Sequence, residues 1–530
     1  MINKDVLTGK TLALLEYPQI MENAASYAVS DEAAVILRES KPLHDRTGVE
    51  ETKKKVRTIY SLIKSGRDEP CSWLPAIGFL FPKIRTSGAV LDIDEVLAIG
   101  LFIERGETLK NWLIKDFTDL CNANSGAFPD CTPVAAEVFR VVDRDGKLRD
   151  IPVLRAIKRR ISGLEKELKA VVSRYAAAEE YKRMLQSALP SQRDGRTVLA
   201  VKANFRGRIS GIVHEVSSSG QTVFIEPLDV VEKNNEILLE KRNLDAEIQK
   251  LLRELTEKIS ASAENIEKFH VTIIELECLR TKAKYSVITK GCFAKSENET
   301  NSLLLKQARH PLLKNAVPVD IEMKHGVRSL IITGPNTGGK TVALKTLGLF
   351  AMMNQSGLAL PLEEGSVLPV FDGIYADIGD EQSIRQSLST FSAHIGNISA
   401  ITACSTENSL VLLDELGSGT DPEEGGAIAM AVLDFLIKKN ARMIITTHHG
   451  VLKNYGYTRE GVENASVEFD ARTLSPTYKI TNGAPGESRA LDIASANGLD
   501  REIVEGARKY IEGGESDVSA LIKSLEQKHR

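Results

Sequence analysis

The spacing of apolar residues predicts helices in the first part of the chain, a short strand-rich segment in the middle, and strand–helix alternation at the end. Residues 1–150 read as helical with several breaks, and Ser30 with Asp31 forms a plausible helix cap. From Ile151 a long, charged, amphipathic helix is predicted, ending at about Leu189, before Pro190.

Short strand-like runs separated by glycine and serine then follow, as in β-hairpins. A second long charged helix is predicted from about Asp229 to Thr289. Two long helices that flank a small strand-rich segment predict a pair of antiparallel arms carrying a tip domain. A solenoid or an ordinary helical bundle is the alternative. After Leu303, strands alternate with helices, which is typical of an α/β domain.

Length and composition narrow the classes of protein that fit. A chain of 530 residues is too long for one compact core, so three or four units are expected. The six cysteines are scattered without a CxxC pair, which argues against both a disulfide framework and a zinc site. The sequence carries neither a signal-peptide pattern nor an apolar run of membrane-spanning length, so we expect a cytoplasmic protein with no membrane partner.

A glycine-rich loop between a strand pattern and a helix pattern carries the strongest chemical signal. Gly334, Gly339, Lys340 and Thr341 fit the spacing G-x-x-x-x-G-K-[ST]. In such a loop, backbone N–H groups and the helix N-terminus attract phosphate. Lys340 would then reach the β- and γ-phosphates, and the Thr341 hydroxyl would bind Mg²⁺.

Two carboxylates end a later apolar strand pattern. Asp414 and Glu415 follow the run from Leu410 to Leu413, at the strand end where ligands collect in open α/β sheets. Asp414 would support Mg²⁺, and Glu415 would polarise an attacking water. The alternative is a solvated strand end.

Two further signals are weaker when taken alone. His448 ends another apolar strand pattern and is the better candidate than His449 for a sensor of the γ-phosphate. By itself, a histidine at this position is more often structural. Ser387, Ser389 and Thr390 offer caps for a helix that begins near Phe391, whose N-terminus is a natural anion site, although taken alone they are better explained by an ordinary capped surface helix.

Together these segments resemble the MutS family of ABC-type ATPases, and more closely its second bacterial branch. The resemblance rests on GPNTGGKT, DIGDEQS, LSTF, LLDELGSGTDP and TTHH, with ARHPLL before the loop and GAPGESRALDIA after it. It implies a multidomain α and α/β fold, with a helical core, lever arms, a small strand-rich clamp and an ABC-type P-loop ATPase domain. It also implies ATP and Mg²⁺ as cofactors.

The resemblance divides the chain into six segments. They are a helical core and lever region (1–150), an outgoing lever helix (151–195), the clamp (196–228), a returning lever helix with core (229–302), the ATPase and dimerisation domain (303–512) and the start of a coiled-coil helix (513–530).

Two departures from the family pattern change the expected activity. The core-like segment starts within the first dozen residues, which leaves no room for a mismatch-reading domain, so mismatch recognition is not expected. The chain stops at Arg530, inside the expected coiled coil, either as a truncated or as a short member. We therefore expect no nuclease activity of this chain.

The family pattern also assigns roles to matched positions. Asp414 would support the metal together with Thr341, Glu415 would be the base and His448 the switch residue. Ser389 and the loop that ends at Asp421 would face the nucleotide of a second subunit, which implies a two-fold homodimer. The residues expected to surround the nucleotide are Gly334, Asn336, Thr337, Gly338, Gly339, Lys340 and Thr341.

Positive charge is concentrated in one part of a chain whose net charge is −4. Residues 151–210 contain fourteen Lys and Arg against five Asp and Glu, on the predicted outgoing arm and tip. Lys202, Arg206 and Arg208 are the candidate contacts with nucleic acid. Nothing here predicts base readout, so binding by charge and shape is expected, although basic helix faces are often merely solvated.

The leading hypothesis is an ATP-dependent dimeric clamp on branched or recombining DNA that suppresses homologous recombination. The alternative is a ribosome-associated quality-control ATPase that splits stalled or collided ribosomes through rRNA contacts. The ATPase subunit of a transporter is disfavoured, because arms and a clamp do not suit it.

Overall fold

The chain folds into two compact units, one made of residues 1–69 and 274–530 and the other of residues 70–273. The computed structural model describes residues 4–67, 72–114, 128–296, 302–334, 339–379, 390–470, 475–483, 491, 494–495 and 498–512. The fold mixes helical and α/β structure. Residues 1–150, which the sequence treats as one region, contribute to both units. No helix in the described ranges is long and apolar enough to cross a membrane.

The first unit begins with four helices, of which the second and third bury apolar side chains in the core of its α/β part. Their bounds are α1 (Lys4–Leu14), α2 (Tyr17–Ala25), α3 (Asp31–Glu39) and α4 (Arg46–Lys64). The Ser30 side chain caps α3 by accepting a hydrogen bond from Ala33 N at 3.3 Å, as the sequence predicts. Ile20, Met21 and Leu37 are buried in the core that also holds the strands of this unit.

The second unit contains further helices before its sheet. Their bounds are α5 (Phe81–Ile84), α6 (Ile93–Ile114), α7 (Thr132–Val141), α8 (Pro152–Ala177) and α9 (Glu179–Lys182). The helix predicted to reach about Leu189 therefore ends twelve residues earlier, since Ala178 adopts an extended conformation. Tyr181 and Met184 then pack against the apolar core of the following sheet, and this burial favours the early end.

The strand-rich segment forms an antiparallel sheet, which we call the tip sheet. Its strands β1 (Ser191–Arg193), β2 (Arg196–Lys202), β3 (Gly211–Val216) and β4 (Thr222–Pro227) lie in the order β1-β2-β4-β3. Buried Glu226 of β4 accepts hydrogen bonds from Arg196, His214 and Asn234. Burial alone would raise the pKa of Glu226, but these hydrogen bonds outweigh it and lower the pKa.

The second long helix of the sequence prediction is interrupted. It consists of α10 (Leu228–Ala261) and α11 (Ala263–Ile288), and Ser262 between them has φ −106° and ψ 9°. The end of α10 is held by side-chain hydrogen bonds from Ser260 to Ile84 O and from Leu91 N to Thr256. These tertiary contacts involve residues far away in sequence, so the helical spacing of apolar residues does not reveal the break.

The α/β part of the first unit is built on a six-stranded sheet. Its strands lie in the order β12-β11-β7-β10-β9-β8, and all neighbours are parallel except β11 and β12. The strands of this part are β5 (Leu303–Ala308), β6 (Val319–Met323), β7 (Ser329–Thr333), β8 (Gly373–Asp377), β9 (Ser409–Leu413), β10 (Arg442–Thr446), β11 (Val462–Asp470) and β12 (Ser475–Asn482).

Helices accompany this sheet, while β5 and β6 form a separate antiparallel pair. The helices are α12 (Lys340–Gln355), α13 (Thr390–Cys404), α14 (Pro422–Lys438), α15 (Gly450–Thr458) and α16 (Arg501–Glu512). Every residue of β7, β8, β9 and β10 is buried, which explains their continuous apolar runs. The carboxyl ends of these four parallel strands meet at one edge, where ligands bind in open α/β sheets.

Candidate functional site

The glycine-rich loop leaves the carboxyl end of β7 and enters α12 at Lys340. Gly334 has φ 135° and Gly339 has φ 85°, conformations that side chains larger than glycine rarely adopt. Asn336, Thr337 and Gly338 lie outside the described residues. The described ends of the loop therefore have the backbone geometry that its glycines predict.

The Lys340 side chain is buried at the start of α12, and its Nζ donates a hydrogen bond to Gly334 O at 2.5 Å. Burial lowers the pKa of Lys340, while the nearby carboxylates of Glu415 and Asp414 act in the opposite direction. A buried ammonium group held at the loop is well placed to receive an anion, because an anion would offset its desolvation.

Thr341 and Asp414 bring the loop and the acidic strand end together. The Thr341 hydroxyl donates a hydrogen bond to Asp414 Oδ2 at 2.7 Å. Hydroxyl and carboxylate oxygens are ligands that Mg²⁺ prefers, usually with waters and phosphate oxygens. In the described ranges, no group of three or more His, Cys, Asp or Glu is close enough to hold a metal. A metal at this position would thus need further ligands from a phosphate or from water.

Thr446 at the end of β10 holds both carboxylate residues of the neighbouring strand. Its hydroxyl donates a hydrogen bond to Asp414 Oδ1 and accepts one from Glu415 N at 2.9 Å. Glu415 has φ 49°, a left-handed conformation that costs a residue other than glycine about 1 kcal/mol or more. The bonds to Thr446 support this strained position beside the cavity.

Glu415 and Asp414 line a cavity of about 260 Å³. The lining shared with the predicted site consists of Lys340, Thr341, Asp414, Glu415 and the glycine loop from Gly417 to Gly419. Phe391, Ile395, Ile398 and Ile428 contribute its apolar walls. The cavity thus joins four of the predicted site residues to one apolar surface.

The two histidines lie beyond β10, which ends at Thr446, and they differ in exposure. The His448 ring is exposed and stacks on the buried His449 ring, with 4.5 Å between centroids. Partial desolvation lowers the pKa of His448, His449 and Lys340 lower it further, and Glu415 opposes them. His448 thus lies within electrostatic range of both Glu415 and Lys340.

Asp421 and Ser389 are the two residues expected to face a second subunit, and the structure describes Asp421 but not Ser389. Asp421 is exposed and caps α14, since its side chain accepts hydrogen bonds from Glu423 N and Glu424 N at 2.9 and 3.2 Å. Ser389 and Ser387 lie outside the described residues, and α13 begins at Thr390.

Asp377 is a site residue to which sequence reasoning gave no role. It ends β8, lines the cavity, and accepts hydrogen bonds from His394 Nδ1 at 2.8 Å and Asn397 Nδ2 at 2.9 Å. Its backbone oxygen accepts a hydrogen bond from Asp414 N at 2.8 Å. Its place at the end of a buried strand, like that of Asp414, is the signal that could have identified it.

The candidate nucleic-acid contacts lie in the other unit, on the tip sheet. Lys202 ends β2, and its Nζ donates a hydrogen bond to Arg183 O at 3.2 Å. Arg206 and Arg208 are exposed in the turn that follows. Phe205, which immediately precedes Arg206, is partly buried and packs against the apolar core of the tip.

Comparison with known proteins identifies the family. The family model described as MutS domain V matches residues 330–513. A relative named "Endonuclease MutS2" from Caldicellulosiruptor bescii is 38% identical over 99% of this chain and 67% of its own length. Another of that name from Halalkalibacterium halodurans is 41% identical over 83% of this chain and 57% of its own.

A third relative named "Endonuclease MutS2", from Pelotomaculum thermopropionicum, is 38% identical over 98% of this chain and 66% of its own length. The chain thus spans about three fifths to two thirds of the relatives it matches. The identity extends over nearly the whole chain, including both units. The chain therefore belongs to the MutS family, in its MutS2 branch.

Proposed function

We propose that the chain is an ATPase of the ABC type whose two sites are completed in a homodimer and whose tip grips DNA. One observation supports the proposed ATPase activity above all: four predicted side chains line the same cavity. Lys340, Thr341, Asp414 and Glu415 line it together, although 75 positions separate the first from the last.

The residues present fit a nucleotide with its metal. Lys340 is a buried cation beside the loop, so the β- and γ-phosphates of ATP would replace Gly334 O as its partner. Thr341 and Asp414 would hold Mg²⁺, which neutralises phosphate charge when bound. Glu415 would orient and deprotonate the attacking water, and His448 would sense the γ-phosphate from its exposed position.

A second copy would complete each site. Family membership supports the assignment of Ser389 and the Gly417–Asp421 loop to the partner's nucleotide. Because Asp421 caps α14, this loop is fixed against a helix N-terminus, a place that suits negative charge. ATP would then hold two chains together, and its hydrolysis would release them.

The tip carries the proposed contact with nucleic acid. Lys202, Arg206 and Arg208 lie together at one turn of the tip sheet, and the two arginines are exposed. These side chains would contact phosphates and would not read the bases, so the shape of the nucleic acid would decide which target is preferred. Branched or recombining DNA is the proposed target and suppression of homologous recombination the proposed role.

The decisive experiment compares affinities of the full chain with a non-hydrolysable ATP analogue at physiological salt. Four-way-junction DNA, plain duplex DNA and 70S ribosomes are titrated in parallel. Preference for the junction supports the proposal, whereas preference for ribosomes without junction binding replaces it with the ribosome-splitting function. Replacing Lys202, Arg206 and Arg208 with alanine should weaken DNA binding at least tenfold and leave basal ATP hydrolysis unchanged.

A further inference from the structure

Helix α8 has a buried apolar stripe on one side and basic residues on its exposed sides. The buried positions Leu154, Ile157, Ile161, Leu168 and Val172 form one stripe along the helix. Leu168 and Val172 pack in the core that also contains Val230 and Ile237 of α10. At about 100° per residue, Arg159 and Lys166 project from the side opposite to that stripe.

The acidic residues of α8 are used in pairs with α10. Glu167 lies 2.9 Å from Lys233 Nζ, and Glu165 lies 3.7 Å from Lys241 Nζ. Two basic residues of α8 also pair with α10: Arg160 lies 3.3 Å from Glu240, and Arg174 lies 3.9 Å from Asp229. The negative charges of α8 are therefore drawn toward its neighbour and away from the outer face.

What remains on the outside of α8 is a row of cations, which we call the outer basic row. It consists of Lys158, Arg159, Lys166 and Lys169, all of them exposed. In the described ranges, no carboxylate forms an ion pair with any of the four. Ion pairing inside the protein thus leaves their charge available to an outside partner.

We propose that the outer basic row binds the phosphate backbone of duplex DNA. The row covers eleven helical steps, or about 16 Å, which matches about five phosphates of one strand at about 3.4 Å each. None of its members is aromatic, so it offers no platform on which unpaired bases could stack. Charge without stacking suits the outside of a duplex.

The inference rests on the proposed DNA binding but assigns it to a surface beyond the tip.

The test uses the full chain with Arg159, Lys166 and Lys169 replaced by alanine, and a plain duplex at a series of KCl concentrations. The matched control replaces Lys241, Arg242 and Lys250 of α10, three exposed cations that change the net charge equally. Circular dichroism verifies that both variants keep their helices.

For the outer-row variant, affinity should fall at least tenfold, and the slope of log affinity against log salt should lose about 2 to 3 units. In the α10 variant, both the loss of affinity and the loss of slope should be less than half as large. Equal losses in both variants would show a net-charge effect and overturn the inference. Unchanged duplex binding in the outer-row variant, with loss in the Lys202, Arg206 and Arg208 variant, would overturn it while the proposed function stands.

Absence of duplex and junction binding by the unmodified chain would overturn both. Loss of binding to 70S ribosomes in the outer-row variant, with duplex binding unchanged, would assign the row to rRNA and overturn the DNA inference alone.

Discussion

The Thr341 hydroxyl donates a hydrogen bond to Asp414 Oδ2 at 2.7 Å across 73 positions of sequence. Asp414 Oδ1 in turn accepts a hydrogen bond from Thr446. One carboxylate therefore connects the loop after β7 with the ends of β9 and β10. Because a Mg²⁺ ion would use the same oxygens, the hydrogen bond between Thr341 and Asp414 occupies the place where we propose that the metal binds.

Thr341→Val should weaken ATP binding in the presence of Mg²⁺ by about 10- to 100-fold, because it removes one proposed metal ligand. Binding with EDTA should change little. Calorimetric titration under both conditions measures the difference. Thr346→Val is the matched control, since the Thr346 hydroxyl donates its hydrogen bond within its own helix, to Val342 O. Equal affinity of Thr341→Val and the unmodified chain in Mg²⁺ would contradict the assignment.

Glu415→Gln should reduce ATP turnover by about 100-fold or more while ATP still binds, because the amide cannot accept a proton from water. ATP should then accumulate in a dimer, which light scattering after size-exclusion chromatography detects. The control is Glu423→Gln, an exposed glutamate in the first turn of α14. Turnover near normal in Glu415→Gln would remove Glu415 from the role of base.

The sequence predicts the parts of this site that are local and misses those that depend on packing. The strand, loop and helix around Lys340 share one short segment, so their pattern predicts the geometry. The Asp377–His394 pair joins a strand to a helix. In the sequence, Asp377 can be noticed by its place at the end of a strand pattern, but nothing there shows that His394 is its partner. Likewise, the end of α8 at Ala177 depends on Tyr181 and Met184 packing under the tip sheet.

Asp377→Asn should loosen the start of α13, because the buried carboxylate accepts hydrogen bonds from both His394 and Asn397. Bonds to a charged acceptor contribute about 1.5 to 3 kcal/mol each, so the melting temperature should fall by several degrees. His394→Asn is the conservative comparison, since an amide N–H can take the place of Nδ1. A melting temperature unchanged in Asp377→Asn would show that this carboxylate does not anchor the helix.

The stability of the chain should decrease on acidification in part through His310. This side chain is buried, and Leu312 N donates a hydrogen bond to its Nδ1 at 3.4 Å, which requires the neutral ring. Burial lowers the pKa of His310; Glu16 opposes this effect, and Lys345 adds to it. The unfolded chain, with a histidine pKa of about 6.5, therefore takes up the proton first as the pH falls.

The contribution of neutral His310 is thus fully present above about pH 6.5 and is lost as the pH falls below that value. Melting temperatures measured from about pH 7.5 to about pH 5.5 should decrease less in His310→Asn than in the unmodified chain, because the asparagine oxygen can accept the same bond without titrating. Part of the pH dependence should remain in His310→Asn, because partial desolvation also lowers the pKa of His448. His325→Asn is the matched control, since it makes the same replacement at an exposed histidine. The same slope in His310→Asn and the unmodified chain would show that acid destabilisation comes from other groups.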